Sequence, residues 1–492
     1  MLKKQVFYIV GLILLFLSAA LSISSLWSLY YDFYLNQDND LMSFIYSIFI
    51  TFFSSIILII ITRNRDRSEI TNKDGFAIVT LGWMLIVFFS SLPYYFYGNG
   101  FTFTNAFFES MSGLTTTGAT ILGHSSTPSI ESLPHGLLFW RSFTQFIGGM
   151  GIIVFSIAIL PLLGMGGVQL FRAEVAGPVA DKMTPRVKQT AKLLWTIYLG
   201  LVLILTILLL IQGLSFHDSI CHAFTTIATA GFSTKNASIG AFNPMVQWTI
   251  IVFMFIAGTS FTLHYIFISN KKMEYLKDTE FKVFSGMIVI CSLIFLFNIV
   301  NSDLYKLNFE SVRHSIFNAV TIITTTGFTT ENYGEWPALS KTLVFFLFFV
   351  GGCAGSTTGA MKIIRSILIY KYLVSEIRKM LHPNGVFPLR INGNVVPDDI
   401  VKKTLGFYLF YIFIFVFTAL IFAMLGLDVE TALSASASSI GNIGPALGSV
   451  GPAHNWAHLP ELAKWLASFC MLLGRLEIFT VMVLFSRTFW KK

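Results

Sequence analysis

Apolar residues fall in long blocks divided by short polar stretches. Blocks at roughly 5–29, 41–62, 75–97, 136–162, 190–212, 246–269, 282–301, 339–370, 404–426 and 462–486 each have the ~20 residues that a helix needs to cross a bilayer. Four further apolar stretches are too short: FTNAFFESMSGL, FHDSICHAFTTI, NFESVRHSIFNAVTII and DVETALSASASSI. Each opens on residues able to cap a helix, namely Thr104 or Asn105, His217 or Asp218, Asn308, and Asp428. Each runs into a polar motif with a central glycine: TTTGAT around Gly118, ATAGFST around Gly231, TTTGFTT around Gly327 and GNIGPALG around Gly444. The glycines are 113, 96 and 117 residues apart.

This pattern predicts a unit of span, re-entrant helix, glycine strand and span, present four times. The expected fold is an all-α polytopic membrane protein with four fused M1-P-M2 repeats around one pore, preceded by two extra transmembrane helices. The expected divisions are 1–74 for the leading helices, 75–170 for repeat 1, 171–270 for repeat 2, 271–375 for repeat 3 with a broken second helix, 376–403 for a cytoplasmic linker and 404–492 for repeat 4.

Composition agrees with a membrane protein. Of 492 residues, 54% are hydrophobic and only 12% charged, too few charges to cover a soluble body of this size. The net charge of +8 would by itself suggest an anionic partner. Its distribution removes that reading. With the N-terminus in the cytoplasm, 25 of the 33 Lys and Arg fall on the cytoplasmic side, and the outside segments hold only Lys235, Lys306 and Arg313. The excess is the positive-inside asymmetry, it places both termini in the cytoplasm, and no nucleic-acid partner is expected. Cys221, Cys291, Cys353 and Cys470 lie in or beside apolar segments without metal-ligand spacing and read as small buried hydrophobes.

Irregular backbone at membrane depth survives only where it lines water or is buried in protein. Around one axis, four glycine strands can turn carbonyl oxygens toward a dehydrated cation, and the Thr hydroxyls add neutral oxygens. None of the four motifs contains a carboxylate, which suits a monovalent cation better than Ca²⁺. The stretch GGCAGSTTGAMKIIR at 351–365 places four glycines within nine residues of an apolar span. At roughly 1 kcal/mol each against Ala, these glycines unwind the helix, and the Ser-Thr-Thr cluster is more polar than helix packing needs. Arg475 is a guanidinium inside a span, a position that usually faces a cavity or a partner. A barrier that also anchors the broken span is one reading; a structural contact with Glu477 or a nearby carbonyl is the other. Arg141 reads as structural, and His222 and His264 as satisfied helix residues. A secondary transporter coupled to Na⁺ or H⁺ would need midplane carboxylates, for which only Glu109 and Glu477 are available. No HExxH, GxSxG or facing aspartate pair suggests an enzyme.

The four motifs, the two leading spans and the 351–365 stretch together resemble the Trk/Ktr/HKT superfamily of cation transporters, on the side of the TrkH/TrkG-type bacterial potassium-uptake subunits. The resemblance implies a K⁺ filter made of Thr116, Thr117, Gly118 and Ala119; Thr229, Ala230, Gly231 and Phe232; Thr325, Thr326, Gly327 and Phe328; and Asn442, Ile443, Gly444 and Pro445. The fourth set departs most from the others. A serine in place of the first-repeat glycine goes with Na⁺ preference in plant relatives, so Gly118 implies K⁺. The resemblance also implies a gate formed by Gly351, Gly352, Gly355, Ser356, Thr357, Thr358 and Gly359 with Arg475. It further implies a homodimer with one pore per protomer in the bacterial inner membrane, in contact with membrane lipid. The implied partner is a cytosolic RCK-type nucleotide-binding subunit resembling TrkA, and the only cofactor is K⁺ itself, as the transported ion.

Overall fold

A computed structural model of the chain describes residues 3–64, 71–151, 187–270 and 274–491. The protein is mostly helical, and several helices are apolar enough to cross a membrane. Helix α1 (Lys4–Leu29) and α2 (Leu41–Ile61) form a leading hairpin. Their seam follows from the sequence of α2, where Ser43, Ser47, Thr51 and Ser55 recur every fourth residue and are all buried. Small side chains on one face let two backbones approach closely. Ser55 accordingly donates to the Gly11 carbonyl of α1 at 2.8 Å.

Next come α3 (Asn72–Ser90), the short α4 (Phe103–Leu114) and α5 (His135–Phe146). The expected span at 136–162 continues past Gly151, outside the described residues, as do the boundary at residues 170–171 and most of the basic segment after it. The chain resumes with α6 (Val187–Ile211), short α7 (Phe216–Ile227), α8 (Pro244–Gly258) and α9 (Phe261–Asn270). Then follow α10 (Thr279–Asn301), short α11 (Phe309–Ile323) and α12 (Ala338–Leu347). The last part holds α13 (Ile363–Leu381), α14 (Asp398–Met424), short α15 (Val429–Gly441), α16 (Glu461–Arg475) and α17 (Ile478–Met482).

The short helices α4, α7, α11 and α15 have 12, 12, 15 and 13 residues. At ~1.5 Å per residue none reaches across a ~30 Å hydrocarbon layer. Asn308 and Asp428 cap two of them as expected. The other two caps are corrected: Thr102 accepts from the Asn105 amide, and Ser215 from the Asp218 amide. Both hydroxyls lie two or three residues before the positions the pattern indicates, because the apolar stretch itself begins inside the helix.

Two expected spans are not straight. The 246–269 block bends by 94° between α8 and α9, and the 462–486 block by 112° after α16. The first break is stabilised from outside: the Gly258 carbonyl accepts from Cys353 N at 3.0 Å, and Phe261 N donates to the Gly355 carbonyl at 3.0 Å. At the second, Glu477 takes φ +61° and meets Arg365 at 2.8 Å. The 339–370 block is interrupted between α12 and α13 by irregular backbone over residues 348–362. Among the described residues the expectation of an all-α chain is corrected by a two-stranded hairpin of β1 (Arg390–Ile391) and β2 (Asn394–Val395). Asn392 and Gly393 take φ of +48° and +83°, as a two-residue hairpin turn requires.

Candidate functional site

All four short helices end in the same way. Thr117 N donates to Ser112 O, Ala230 N to Thr225 O, Thr326 N to Thr321 O, and Ile443 N to Ser438 O, at 2.9, 3.0, 2.8 and 3.1 Å. The residue before each of these amides is left-handed: Thr116, Thr229, Thr325 and Asn442 have φ of 51–53°. The residue after each is a glycine with positive φ: Gly118, Gly231, Gly327 and Gly444. One backbone conformation therefore occurs four times in one chain.

The glycines also connect the four loops. A methyl group at Gly118 would fall on the carbonyl oxygen of Ala230, one at Gly231 on that of Thr326, one at Gly327 on that of Ile443, and one at Gly444 on that of Thr117. Each loop presses on the next, and the fourth returns to the first. Gly118, Ala119, Gly231, Phe232, Gly327 and Pro445 line a single cavity of about 250 Å³, so all four loops contribute to one opening. Phe328 is buried.

Polar side chains brace the ring from behind. Buried Glu109 accepts from Arg141 Nε at 2.8 Å, Thr120 Oγ1 at 2.9 Å and Ile121 N at 3.0 Å. Arg141 also donates to Ser233 O at 3.0 Å and stacks over the Phe232 ring at 4.1 Å. This pair links the first loop to the second. Gln145, one helical turn further along α5, donates to Ala230 O at 2.6 Å and accepts from Phe232 N at 3.1 Å. His222 bonds Asp218 O and Ser233 Oγ, and His264 bonds Tyr275 and Ile256 O, so both histidines are satisfied as expected. Gln145 is absent from the sequence reading, although its place four residues after Arg141 puts the two on one helix face.

The broken span sits against the C-terminal ends of α7, α11 and α15. Thr357 Oγ1 donates to Ile227 O of α7 at 3.0 Å and lies 3.2 Å from Thr229 Oγ1. Gly359 N donates to Thr325 Oγ1 at 2.7 Å, and Ala360 N to Gly441 O of α15 at 2.9 Å. A side chain at Gly359 would collide with that same Gly441 carbonyl, so the close approach requires glycine. Gly351 N bonds Met361 O at 2.8 Å, and Gly352 N bonds Thr358 Oγ1 at 3.1 Å. Ser356 Oγ lies 2.8 Å from Thr358 Oγ1. Lys362, also missed in the sequence, donates to Thr358 Oγ1 at 2.8 Å and to the Thr358 carbonyl.

Arg475 reaches the broken span directly. It donates to Thr357 O at 2.9 Å, to Gly149 O at 2.7 Å and to the Gly148 carbonyl. Glu477 pairs with Arg365. Arg475 thus meets the broken span and the backbone just beyond α5. Among the described residues, three carboxylates near the ring and the broken span are engaged: Glu109 with Arg141, Glu477 with Arg365, and Glu280 with the amides of Ala354 and Ile364 at 2.9 Å each. The four cysteines are buried and free. Among the described residues no group of three or more His, Cys, Asp or Glu could hold a metal ion.

Residues 41–492 match the TrkH family, described as cation transport protein. The Trk system potassium uptake protein TrkH of Salmonella typhimurium is 39% identical, with 98% of each chain covered. The Trk system potassium uptake protein TrkG of Escherichia coli K12 is 35% identical over 90% of this chain and 92% of its own. The crystal structure of the potassium transporter TrkH from Vibrio parahaemolyticus superposes with a TM-score of 0.86 at 36% identity, covering 99% of both chains. With a ring of four like loops in a membrane-spanning helical body and relatives matched end to end, this chain belongs to the TrkH family of cation transport proteins.

Proposed function

We propose that the chain takes up potassium across the bacterial cytoplasmic membrane, through a filter formed by the four glycine loops. The single observation that carries this is the closed ring of glycine–carbonyl approaches, 118 to 230, 231 to 326, 327 to 443 and 444 to 117, around one cavity. Backbone and hydroxyl oxygens without carboxylates suit a monovalent cation stripped of water. Relatives of equal length are named for potassium uptake. In this reading the short helices and the helices that flank them form four M1-P-M2 units around the axis, and α1 and α2 stand outside.

Residues 351–359 and Arg475 then form the gate. Positive charge beneath a cation path raises the barrier to entry, and Arg475 also ties the loop to α5. The engagement of Glu109, Glu280 and Glu477 argues against the alternative of Na⁺- or H⁺-coupled transport, which needs a carboxylate able to exchange its ion. The reading also carries a homodimer and a cytosolic RCK-type nucleotide-binding subunit acting on the gate, with both termini on the cytoplasmic side.

The test is Rb⁺ and Na⁺ flux in proteoliposomes with and without a proton gradient. Downhill Rb⁺ flux that ignores the proton gradient, and a shift toward Na⁺ in Gly118→Ser, are expected. Flux that stops without the gradient, with Gly118→Ser unaltered in ion preference, overturns the proposal.

A further inference from the structure

The β1–β2 hairpin and the irregular stretch at 348–362 meet through a few residues at the start of α10. Asp278 caps α10, accepting from Phe281 N at 2.7 Å. Asn392, in the hairpin turn, donates to Asp278 Oδ2 at 2.8 Å and accepts from Thr279 N at 2.9 Å. Glu280 lies one residue beyond Thr279 and is 7% exposed. Its Oε1 accepts from Ala354 N and from Ile364 N, both at 2.9 Å.

Those two amides are ten residues apart: Ala354 lies inside the irregular stretch and Ile364 in the first turn of α13. Glu280 does not serve its own helix, whose first amides already go to Asp278. One of its oxygens instead ties the second half of the broken stretch to the start of α13. Bonds from amides to a charged acceptor are about twice as strong as neutral ones. Lys362 within the loop is buried and within electrostatic reach of the same carboxylate.

We infer that Glu280 is a positioning residue that pins the middle of the gate loop to its exit into α13, and that the Asn392–Asp278 contact couples the hairpin to it. This rests on the reading of 351–359 as the gate. Because the loop amide of Ala354 and the helix amide of Ile364 bind one oxygen, a displacement of residues 278–280 loosens both together. The hairpin holds that turn by its side chain and by its backbone, so force on the hairpin reaches the loop through two residues.

The experiment uses the full-length protein in proteoliposomes, without any other subunit. The variants are Glu280→Gln, Glu280→Ala, Asn392→Ala and a deletion of Gly355–Thr358. The readouts are Rb⁺ flux, the Rb⁺/Na⁺ ratio, and backbone hydrogen exchange of peptides covering 351–364 and 309–323. Replacing a charged acceptor by a neutral one is expected to speed exchange in 351–364 about tenfold and to raise Rb⁺ flux, more in Glu280→Ala than in Glu280→Gln. The Rb⁺/Na⁺ ratio and the exchange of 309–323 stay as in the parent, which a general loss of structure would not allow. Asn392→Ala moves both readouts in the same direction by a smaller factor.

Unchanged exchange in 351–364 in both Glu280 variants overturns the pinning role. Faster exchange in those variants with none in Asn392→Ala overturns the coupling. If the deletion leaves Rb⁺ flux unchanged, the gate reading itself fails, whatever the exchange shows. If the deletion opens the pore and the Glu280 variants do not, the gate stands and the inference about Glu280 falls.

Discussion

Alanine at the ring glycines separates two costs that usually come together. At Gly118, Gly231, Gly327 and Gly444 an added methyl group meets a backbone carbonyl of the next loop at a distance no real Cβ adopts, and φ is positive as well. The left-handed conformation costs a non-glycine residue roughly 1–2 kcal/mol. Overpacking a filled site costs roughly 1–3 kcal/mol more. The carbonyls that must move are those proposed to face the ion, so about 2–5 kcal/mol falls on the conducting geometry. That corresponds to roughly a thirtyfold or greater loss of Rb⁺ uptake. Gly98, Gly213 and Gly426 also have positive φ, but a methyl group there meets nothing within 4 Å. Alanine at these positions carries only the first cost, seen as a lower melting temperature with uptake and ion preference retained. Gly200 in α6 and Gly286 in α10 have neither constraint, and alanine there raises the melting temperature, since it gains up to about 1 kcal/mol in a helix. The assay is Rb⁺ uptake into a K⁺-uptake-deficient bacterium, with melting of the purified variants in detergent. Wild-type uptake and Rb⁺/Na⁺ ratio in Gly231→Ala, or an equal loss in Gly213→Ala, would refute the reasoning.

Three further outcomes are expected. Glu109→Gln or Arg141→Met alone strands a buried charge and costs about 3–5 kcal/mol, lowering the melting temperature steeply; the double variant recovers much of it, and a double variant worse than either single one contradicts the pairing. Arg475→Ala releases the Thr357, Gly148 and Gly149 carbonyls, so basal Rb⁺ flux rises; an unaltered rate and ion preference would remove Arg475 from the gate. Asp40, at the start of α2, is pushed up to about 7, first by burial and then by the charge of Asp32. For its neighbour Asp38, burial works in the same direction but is outweighed by the bonds from His135, and its carboxyl stays below the usual range. The unfolded Asp40 carboxyl releases its proton near 3.8, so between there and about 7 the folded chain holds a proton that the unfolded chain has lost. Stability therefore falls as pH rises through that window. Asp40→Asn should melt higher than the parent at pH 8 and much closer to it at pH 4; a difference between the two that is constant with pH would exclude Asp40 as the source.

The short helices and the glycine motifs were legible because both are local: an apolar stretch of limited length, then a glycine. The broken span was legible for the same reason, since Gly351, Gly352, Gly355 and Gly359 lie within nine residues. The 94° bend after Gly258 was not, because the groups that satisfy it are Cys353 and Gly355, almost a hundred residues away. Arg141 reads from its position as structural, and it is, but its partners Glu109, Ser233 and Phe232, by which it ties two loops of the ring together, could not be read from the sequence. Glu280 is inconspicuous in the string DTEF, because its two partners are brought to it only by the return of the chain. The closing of the fourth loop on the first is likewise a property of the assembled ring, and no single motif encodes it.

The left-handed position beneath each ring glycine differs from quarter to quarter. Thr229 and Thr325 bond to the broken span, Asn442 lies against Gly359 of that span and donates to Thr117 and to Met471 O, and the Thr116 hydroxyl is buried without a hydrogen-bond partner among the described residues. A channel assembled from four identical subunits would have to repeat any such choice four times, and could not accommodate one lopsided plug. Linking the quarters covalently lifts that restriction. Three of the quarters can then hold the broken span while the first does not, so under the proposed function the ring can be nearly symmetric for the ion and asymmetric for its control.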